Sequence, residues 1–548
     1  MLLRDNPVLS RELLVTLRSP RSFLLQAAYV GLLGAAVYFA WPQGEGTARR
    51  VGSSTALRLY ELFFLGQFFL VALVAPTFAA GSIAGEKERK TYEMLLASPL
   101  EPLTILVGKL LSSLTYLVLL ILSSLPLMIL CFLMGGILLS EIARAYLVLI
   151  LAAGTFGLIS VACSSIFSRT SSALVVSYLI ILPLALASVS MTKTDDATLR
   201  DFVSIAVLPP WCLAIWAVVA MLVNRRLLRP PDVGSEGKEV VDEEQEMRYA
   251  VGVVIDREMF PDRLFAPAKR PDIMPDGINP VLDKELRSEI FSQGTLMLRL
   301  VIQVSMFLSI FLMAALLFFK PSNAGYYVSY VILFNMLVGP VFSAGSITQE
   351  RERQTLNLLL TTLLRPGTIV FAKLAAALRV STVLTFLLTE QLLLAYVLVA
   401  ELFGRFWTLL AYLAIIAATC LVTTSVGLLC SSLSRRTSAA MILTYLSLLL
   451  LFAGPVALAR FPRDLATPLA SELIPALSVT SPFSAVFSVP LAIPNTGTAE
   501  EGAEGGLVPG LNLPLWVVYL GITPVLCLVL NAITYFTFRW RWWRAGGG

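Results

Sequence analysis

Stretches of about 20 consecutive apolar residues recur along this chain, beginning with SFLLQAAYVGLLGAAVYFAW from Ser22. A helix needs about that many residues to cross a hydrocarbon core of roughly 30 Å, and this restricts the possible folds more than any other feature. A transmembrane barrel would show short alternating segments instead. The expected fold is therefore all-α, a polytopic integral membrane protein embedded in the lipid bilayer. Composition agrees: of 548 residues, 57% are hydrophobic and 14% charged, with a mean hydropathy of +0.80, too apolar for a soluble domain.

Hydropathy places about six spans in each half, about twelve transmembrane helices in all. The first six lie near 22 to 41, 60 to 84, 103 to 134, 142 to 167, 172 to 191 and 203 to 224. The second six lie near 297 to 319, 326 to 348, 367 to 402, 406 to 433, 437 to 460 and 512 to 538. The stretches from 103 and from 367 exceed one crossing, so part of each is expected to tilt or to project from the membrane. Arg4, Arg11, Arg18 and Arg21 precede the first span on a long amphipathic leader, and its apolar stretch is too long for a signal core; it reads as an uncleaved anchor.

Between the halves, residues 225 to 278 are charged and rich in proline, which marks a soluble linker. The expected layout is a first six-span half over 1–224, a cytoplasmic linker over 225–278, and a second six-span half over 279–548 with an extracytoplasmic insertion at 461–510. Lys87, Arg89, Lys90, Arg169, Arg225, Arg226 and Arg229 fall on one side, with Arg351, Arg353, Arg365, Arg435, Arg436, Arg539, Arg541 and Arg544 in the second half. The positive-inside rule makes that side cytoplasmic, with both termini, in a multi-pass protein of the inner (plasma) membrane. Arg49, Arg50 and Arg58 fall outside and weaken the bias without reversing it. The net charge of +5 is spread over these loops, so it reports topology and not nucleic-acid binding.

There is no histidine, which removes the commonest metal ligand and every triad built on imidazole. Cys131, Cys163, Cys212, Cys420, Cys430 and Cys527 stand singly in apolar stretches without CxxC spacing, as small buried hydrophobes do. No catalytic, cofactor-binding or metal residue is expected, and the chain reads as no enzyme. A phosphate loop, GxxxxGK[ST], is missing: the nearest approaches, GEK at Gly85 and GSEGKE at Gly234, lack its spacing and hydroxyl.

Three segments recur in the same order in both halves. NPVLSREL from Asn6 answers NPVLDKEL from Asn279. GSIAGEKERKTYEMLLASPLEPLTILVGKL from Gly81 answers GSITQERERQTLNLLLTTLLRPGTIVFAKL from Gly345, without a gap. CSSIFSRTSSA from Cys163 answers CSSLSRRTSAA from Cys430. Six spans per half is an even number, so the halves enter the membrane alike and form a parallel repeat, a pseudo-dimer in one chain.

In the second segment a span ends near Ala84, and Glu86, Lys87, Glu88, Arg89 and Lys90 leave the membrane. From Thr91 a helical pattern puts Tyr92, Leu95 and Leu96 on one face, until Pro99 and Pro102 break it. The other copy runs Glu350, Arg351, Glu352, Arg353, Thr355, Leu359, Leu360 and Pro366. The expectation is a short amphipathic helix across the cytoplasmic mouth between two spans. A solvated loop that sets topology needs only Lys and Arg, whereas both copies keep acidic residues at matched places, as a docking surface of fixed charge complementarity would.

The ordered set NPVLxxEL, GSI..E.ER.T..LLL..L..P.TI...KL and a Ser-Arg-Thr loop resembles the ABC type 2 permease family, the membrane subunits of ATP-binding-cassette exporters, most closely its copper-enzyme-maturation and gliding-motility permeases. Where that family often has Gly before the Thr, this chain has Lys90 and Gln354. The resemblance implies a transport permease, with coupling helices at Glu86, Glu88, Arg89 and Thr91 and at Glu350, Glu352, Arg353 and Thr355. Each would be seated on one of two copies of a cytoplasmic ABC ATPase subunit that carries the ATP and Mg. It also implies interfacial connecting helices at Asn6, Pro7 and Glu12 and at Asn279, Pro280 and Glu285. For the first of these, Leu9, Leu13, Leu14 and Leu17 share a helical face while Arg4, Arg11 and Arg18 can reach headgroups; a plain surface anchor would look the same.

Glu390 lies inside the ninth span, where an ionised carboxylate costs about 2.5 to 3.5 kcal/mol on insertion scales. With Gln391 it is a candidate for the translocation path, and a neutral acid hydrogen-bonded between helices is the alternative. Its counterpart in the first half is Pro126. The insertion at 461–510 reads as a lid, as a docking site for an extracytoplasmic partner, or as surface packing. The rival functions are a secondary transporter with two six-span halves and a membrane scaffold of an assembly complex. The secondary transporter is disfavoured by few buried charges and by the want of an Asp-Arg-Gly-Arg type loop.

Overall fold

The computed structural model describes, with a few positions excepted, residues 53–88, 102–133, 137–192, 208–228, 279–287, 295–318, 324–399, 402–459, 477–489 and 513–546, and scattered positions between 10 and 34 and between 91 and 97. The regular elements of the described residues are all helices, and nine of them are long and apolar enough to cross a membrane. A tenth apolar helix begins at Thr170, and the predicted span from Ser22 is described only in part. The chain forms two compact units, Met1–Leu228 with Leu449–Ser478, and Arg229–Leu448 with Val479–Gly548.

The first unit contains α1 (Ser53–Glu88), α2 (Pro102–Ser123), α3 (Leu125–Leu133), α4 (Leu139–Ile166), α5 (Thr170–Thr192) and α6 (Leu208–Leu228). Its inner helices are α1 and α4, which pack along each other, with α2, α5 and α6 against them. Small residues let neighbours approach: a Cβ on Gly154 of α4 would lie 2.2 Å from the ring of Trp216 on α6, whose Nε1 donates to Thr155 Oγ1 at 3.0 Å. The outer face of α6 exposes Trp211, Leu213, Met221 and Leu222, an apolar surface suited to lipid.

The second unit contains α7 (Pro280–Arg287), α8 (Thr295–Met313, extended by a π-helical turn to Phe318), α9 (Ala324–Gly345), α10 (Thr348–Glu352), α11 (Leu356–Leu360), α12 (Pro366–Leu398), α13 (Phe406–Leu433), α14 (Thr437–Leu448), α15 (Pro482–Phe487) and α16 (Leu515–Gly546). Here α9 is the central helix, covered by α12, α13 and α14, while α16 lies along α13. A Cβ on Gly427 of α13 would stand 2.0 Å from Ser343 Oγ on α9. Eight residues earlier on α9, Asn335 Nδ2 donates to Ser381 and Thr385 Oγ at 2.8 Å each, and its Oδ1 accepts from Thr423 at 2.9 Å. Such a satisfied polar centre ties α9, α12 and α13 together where no water competes. From the predicted insertion only 477–489 are described; Phe487 and Val486 of α15 rest on Gly325 at the start of α9.

Each unit also repeats a proline inside an inner helix. Pro76 lies inside α1 and Pro340 inside α9, and proline removes a helical hydrogen bond. Three residues upstream, Leu73 O accepts from Tyr178 OH at 2.6 Å and Leu337 O from Tyr445 OH at 2.7 Å, so the loosened backbone is bonded by the neighbouring helix.

Two stretches expected to overrun the bilayer resolve differently. The one from 103 is not a single helix but α2 and α3, because Pro126 cannot donate to the ladder. At the break Ser124 Oγ donates to Ile121 O at 2.6 Å and accepts from Gln67 Nε2 at 2.6 Å. The one from 367 is a continuous helix of 33 residues, roughly 50 Å long at 1.5 Å per residue.

Candidate functional site

In the second unit the repeated segment starts where α9 ends, and a turn at Ser346 and Ile347 leads into α10. That helix closes with Gln354 at φ +59°, its N–H bonded to Arg351 O at 3.2 Å, while Thr355 N–H reaches back to Glu350 O at 2.9 Å. These two bonds are the Schellman ending, whose left-handed residue is usually Gly. It explains why the resembling family favours Gly before the Thr. Thr355 then holds the N-cap position of α11, its hydroxyl turned to Glu350, and the matching Thr91 N–H to Glu86 O bond, 3.0 Å, is present in the first unit. The short helix expected from Thr355 is α11, and a second five-residue helix, α10, precedes it across the turn at Gln354.

The matched charges face inward, onto a corner between two other helices. In the first unit Lys87 Nζ donates to Ser165 O at 2.6 Å and Phe167 O at 3.2 Å, carbonyls at the C-terminus of α4. Glu88 Oε1 accepts from the N–H of Thr170 at 2.9 Å and from its hydroxyl at 3.0 Å, at the N-terminus of α5. In the second unit Arg351 bonds to Ser434 O after α13, and Glu352 accepts from Thr437 N–H at 2.9 Å and Thr437 Oγ1 at 3.2 Å at the start of α14. A cation on orphan carbonyls and an anion on orphan amides is what two helix dipoles ask for. Serines add a further link: Ser164 Oγ accepts from Ile83 and Ala84 N–H at 3.0 and 2.7 Å, and Ser431 Oγ from Ile347 and Thr348 N–H at 3.1 and 3.2 Å.

The earlier glutamates pair with buried lysines. Glu86 bonds to Thr91 Oγ1 and to Lys109 Nζ at 2.9 Å, and the Lys109 side chain is 5% exposed. Glu350 bonds to Thr355 Oγ1 and to Lys284 Nζ at 2.9 Å, with Lys373 Nζ at 3.7 Å. Lys373, 1% exposed, also meets Glu285 at 2.6 Å and Ser346 O at 2.9 Å. A lysine so buried is tolerable only because it is paired: two hydrogen bonds, to Glu285 and Ser346 O, and a second carboxylate, Glu350, close by. Asn279 caps α7, its Oδ1 accepting from Val281 N–H at 3.1 Å, with Pro280 at the first helical position and Nδ2 on Thr368 O at 3.2 Å. So NPVLxxEL in this unit is a cap, a helix start, an apolar contact and an ion-pair partner.

Beneath the segment Val281, Ile347, Ile369, Leu428 and Phe538 form an apolar cluster that Leu356, Leu359 and Leu360 flank. On the opposite side Leu358 is 70% exposed, and Met94, at the same register of the first copy, 76%. Arg353 is exposed; Arg89, Asn6, Pro7 and Glu12 lie outside the described residues. The two candidate path residues part company: Glu390 is exposed on α12, while Gln391 is 4% exposed, its Oε1 without a hydrogen-bond partner. Glu390 stands eight residues before the end of α12 at Leu398, about 12 Å along the axis.

The residues that sequence reasoning did not single out are Lys109, Lys373, Ser164, Ser431, Thr170 and Thr437, and the tyrosines Tyr178 and Tyr445. All but the tyrosines lie within the three repeated segments, and matching each identical or similar pair, instead of the charges alone, would have found them.

Two family models match the chain in tandem, both described as ABC-2 family transporter protein, over residues 49–224 and 273–541. The chain belongs to the ABC-2 family of transporter proteins. It is an ABC-2 type permease with two halves fused in one polypeptide, a multi-pass membrane subunit of an ABC transporter that works with ATP-binding-cassette subunits. No curated protein matches it.

Proposed function

We propose that this ABC-2 permease is an exporter of the inner membrane, driven by two cytoplasmic ATPase subunits, one on each repeated segment. The ATPases supply the ATP and Mg sites, and the linker and both termini face the cytoplasm. The observation that carries the docking assignment is the pair Met94 and Leu358, large apolar side chains exposed at the same register of both copies. The four matched glutamates Glu86, Glu88, Glu350 and Glu352 are engaged inside their own unit, so an apolar tip is what the segment offers a partner, as a hot-spot anchor does.

Copurification of the full chain with its soluble ATPase tests this. Met94→Asp and Leu358→Asp together should abolish association while membrane levels stay unchanged, because an aspartate cannot enter an apolar cleft. Undiminished association would overturn the assignment. Export rests on the family resemblance: cargo should accumulate in inside-out vesicles only with ATP, and accumulation driven by an ion gradient without ATP would favour the secondary transporter.

A further inference from the structure

We propose that Lys87 with Glu88, and Arg351 with Glu352, are positioning residues for coupling: each pair clasps the ATPase-docking segment to the α4–α5 or α13–α14 corner and carries its displacement there. The inference rests on the docking reading above and adds the route by which movement leaves the segment. Three kinds of link, all present in both units, join positions about eighty residues apart in sequence: cation to carbonyls, carboxylate to the first helical N–H and hydroxyl, and serine to backbone N–H.

A helix N-terminus is ordinarily capped by the residue next to it. Arg436 holds the cap position of α14, since its carbonyl accepts the Ala440 N–H at 3.0 Å, and arginine has no acceptor to offer. Its counterpart in the first copy is Arg169. The second copy thus leaves the local cap unmade and takes the acceptor from the docking segment, and in the first copy the Thr170 N–H likewise takes its acceptor from Glu88. The charge on the side-chain partner strengthens each contact, and two opposite helix ends held together fix the corner against both pull and twist. Because α5 packs on α1 and α4, and α14 on α9 and α13, a shift of either corner reaches the inner helices of its own unit.

The test separates capping from clasping. Glu352→Ala removes cap and clasp together, whereas Glu352→Ala with Arg436→Asn restores a local cap without the link; Glu88→Ala with Arg169→Asn is the partner experiment. The full chain is purified with its ATPase, trapped with ATP, Mg and vanadate, and followed by amide hydrogen exchange over residues 428–442. The wild type and Arg436→Asn should show a change in exchange on trapping. The double variant should regain the melting temperature lost in Glu352→Ala, keep its ATPase, and show no such change. A response recovered in step with stability would overturn the clasp while leaving docking intact. A wild type that binds no ATPase would overturn the docking reading and the clasp with it.

Discussion

At Gln354 the backbone takes φ +59°, a conformation that costs an L-residue with a Cβ about 1–2 kcal/mol and glycine nothing. Gln354→Gly should therefore stabilise the protein by about 1 kcal/mol, less the added freedom of the unfolded chain, whereas the β-branched Gln354→Val should destabilise it. Thermal unfolding in detergent measures both, and a lower melting temperature for the glycine variant would contradict the assigned strain. At the same scale the matched charges have partners inside each unit: Lys87 and Arg351 meet helix C-termini while Glu88 and Glu352 meet helix N-termini, an arrangement that itself calls for both signs. Reversing Glu350 to Arg would set a third cation beside Lys284 and Lys373, so weaker docking in that variant would reflect an unseated segment.

At the scale of helices, the α9–α13 crossing depends on Gly427. Its missing Cβ would fall 2.0 Å from Ser343 Oγ and 3.2 Å from the Ala344 backbone nitrogen. A methyl there must push two inner helices apart, at a cost on the order of 1–3 kcal/mol for overpacking. Gly427→Ala should lower the melting temperature, and Ser343→Ala should recover part of the loss, since it removes the nearest atom but not the backbone behind it. Fully additive effects of the two substitutions would show that the side chains do not meet. The repeated prolines act at this scale too: each removes a backbone donor from an inner helix just before the repeated segment, and the tyrosine bonded to Leu73 O or Leu337 O belongs to the helix that follows the corner.

For the whole molecule, the proposed docking of one ATPase subunit on each repeated segment implies a fixed stoichiometry. One copy of the chain should carry two ATPase subunits, because each half supplies one exposed apolar tip. Native mass measurement of the detergent-solubilised complex reads this directly, and two copies of the chain per two ATPases would refute it. Orientation has its own check. The positive-inside pattern places Glu239 of the linker in the cytoplasm and Glu501 of the acidic insertion outside. A cysteine at Glu501 should react with an impermeant thiol reagent in intact cells, and one at Glu239 only after lysis.

The sequence by itself determined the helical membrane fold, the approximate spans and the doubling of the chain, because hydrocarbon imposes a minimum apolar length and because repetition survives in one dimension. It also marked the NPVL, GSI and SRT segments. Only the tertiary structure showed that they meet: Glu88 and Thr170, or Glu352 and Thr437, are more than eighty residues apart, and no local periodicity encodes a bond of that span. The helix break at Ser124 was open to reading from Pro126, whereas the partner of Lys373 was not, since burial turns a lysine from a marker of topology into the centre of an ion-pair cluster. The direction in which a charge faces is set by what packs around it, and that information is held in the fold.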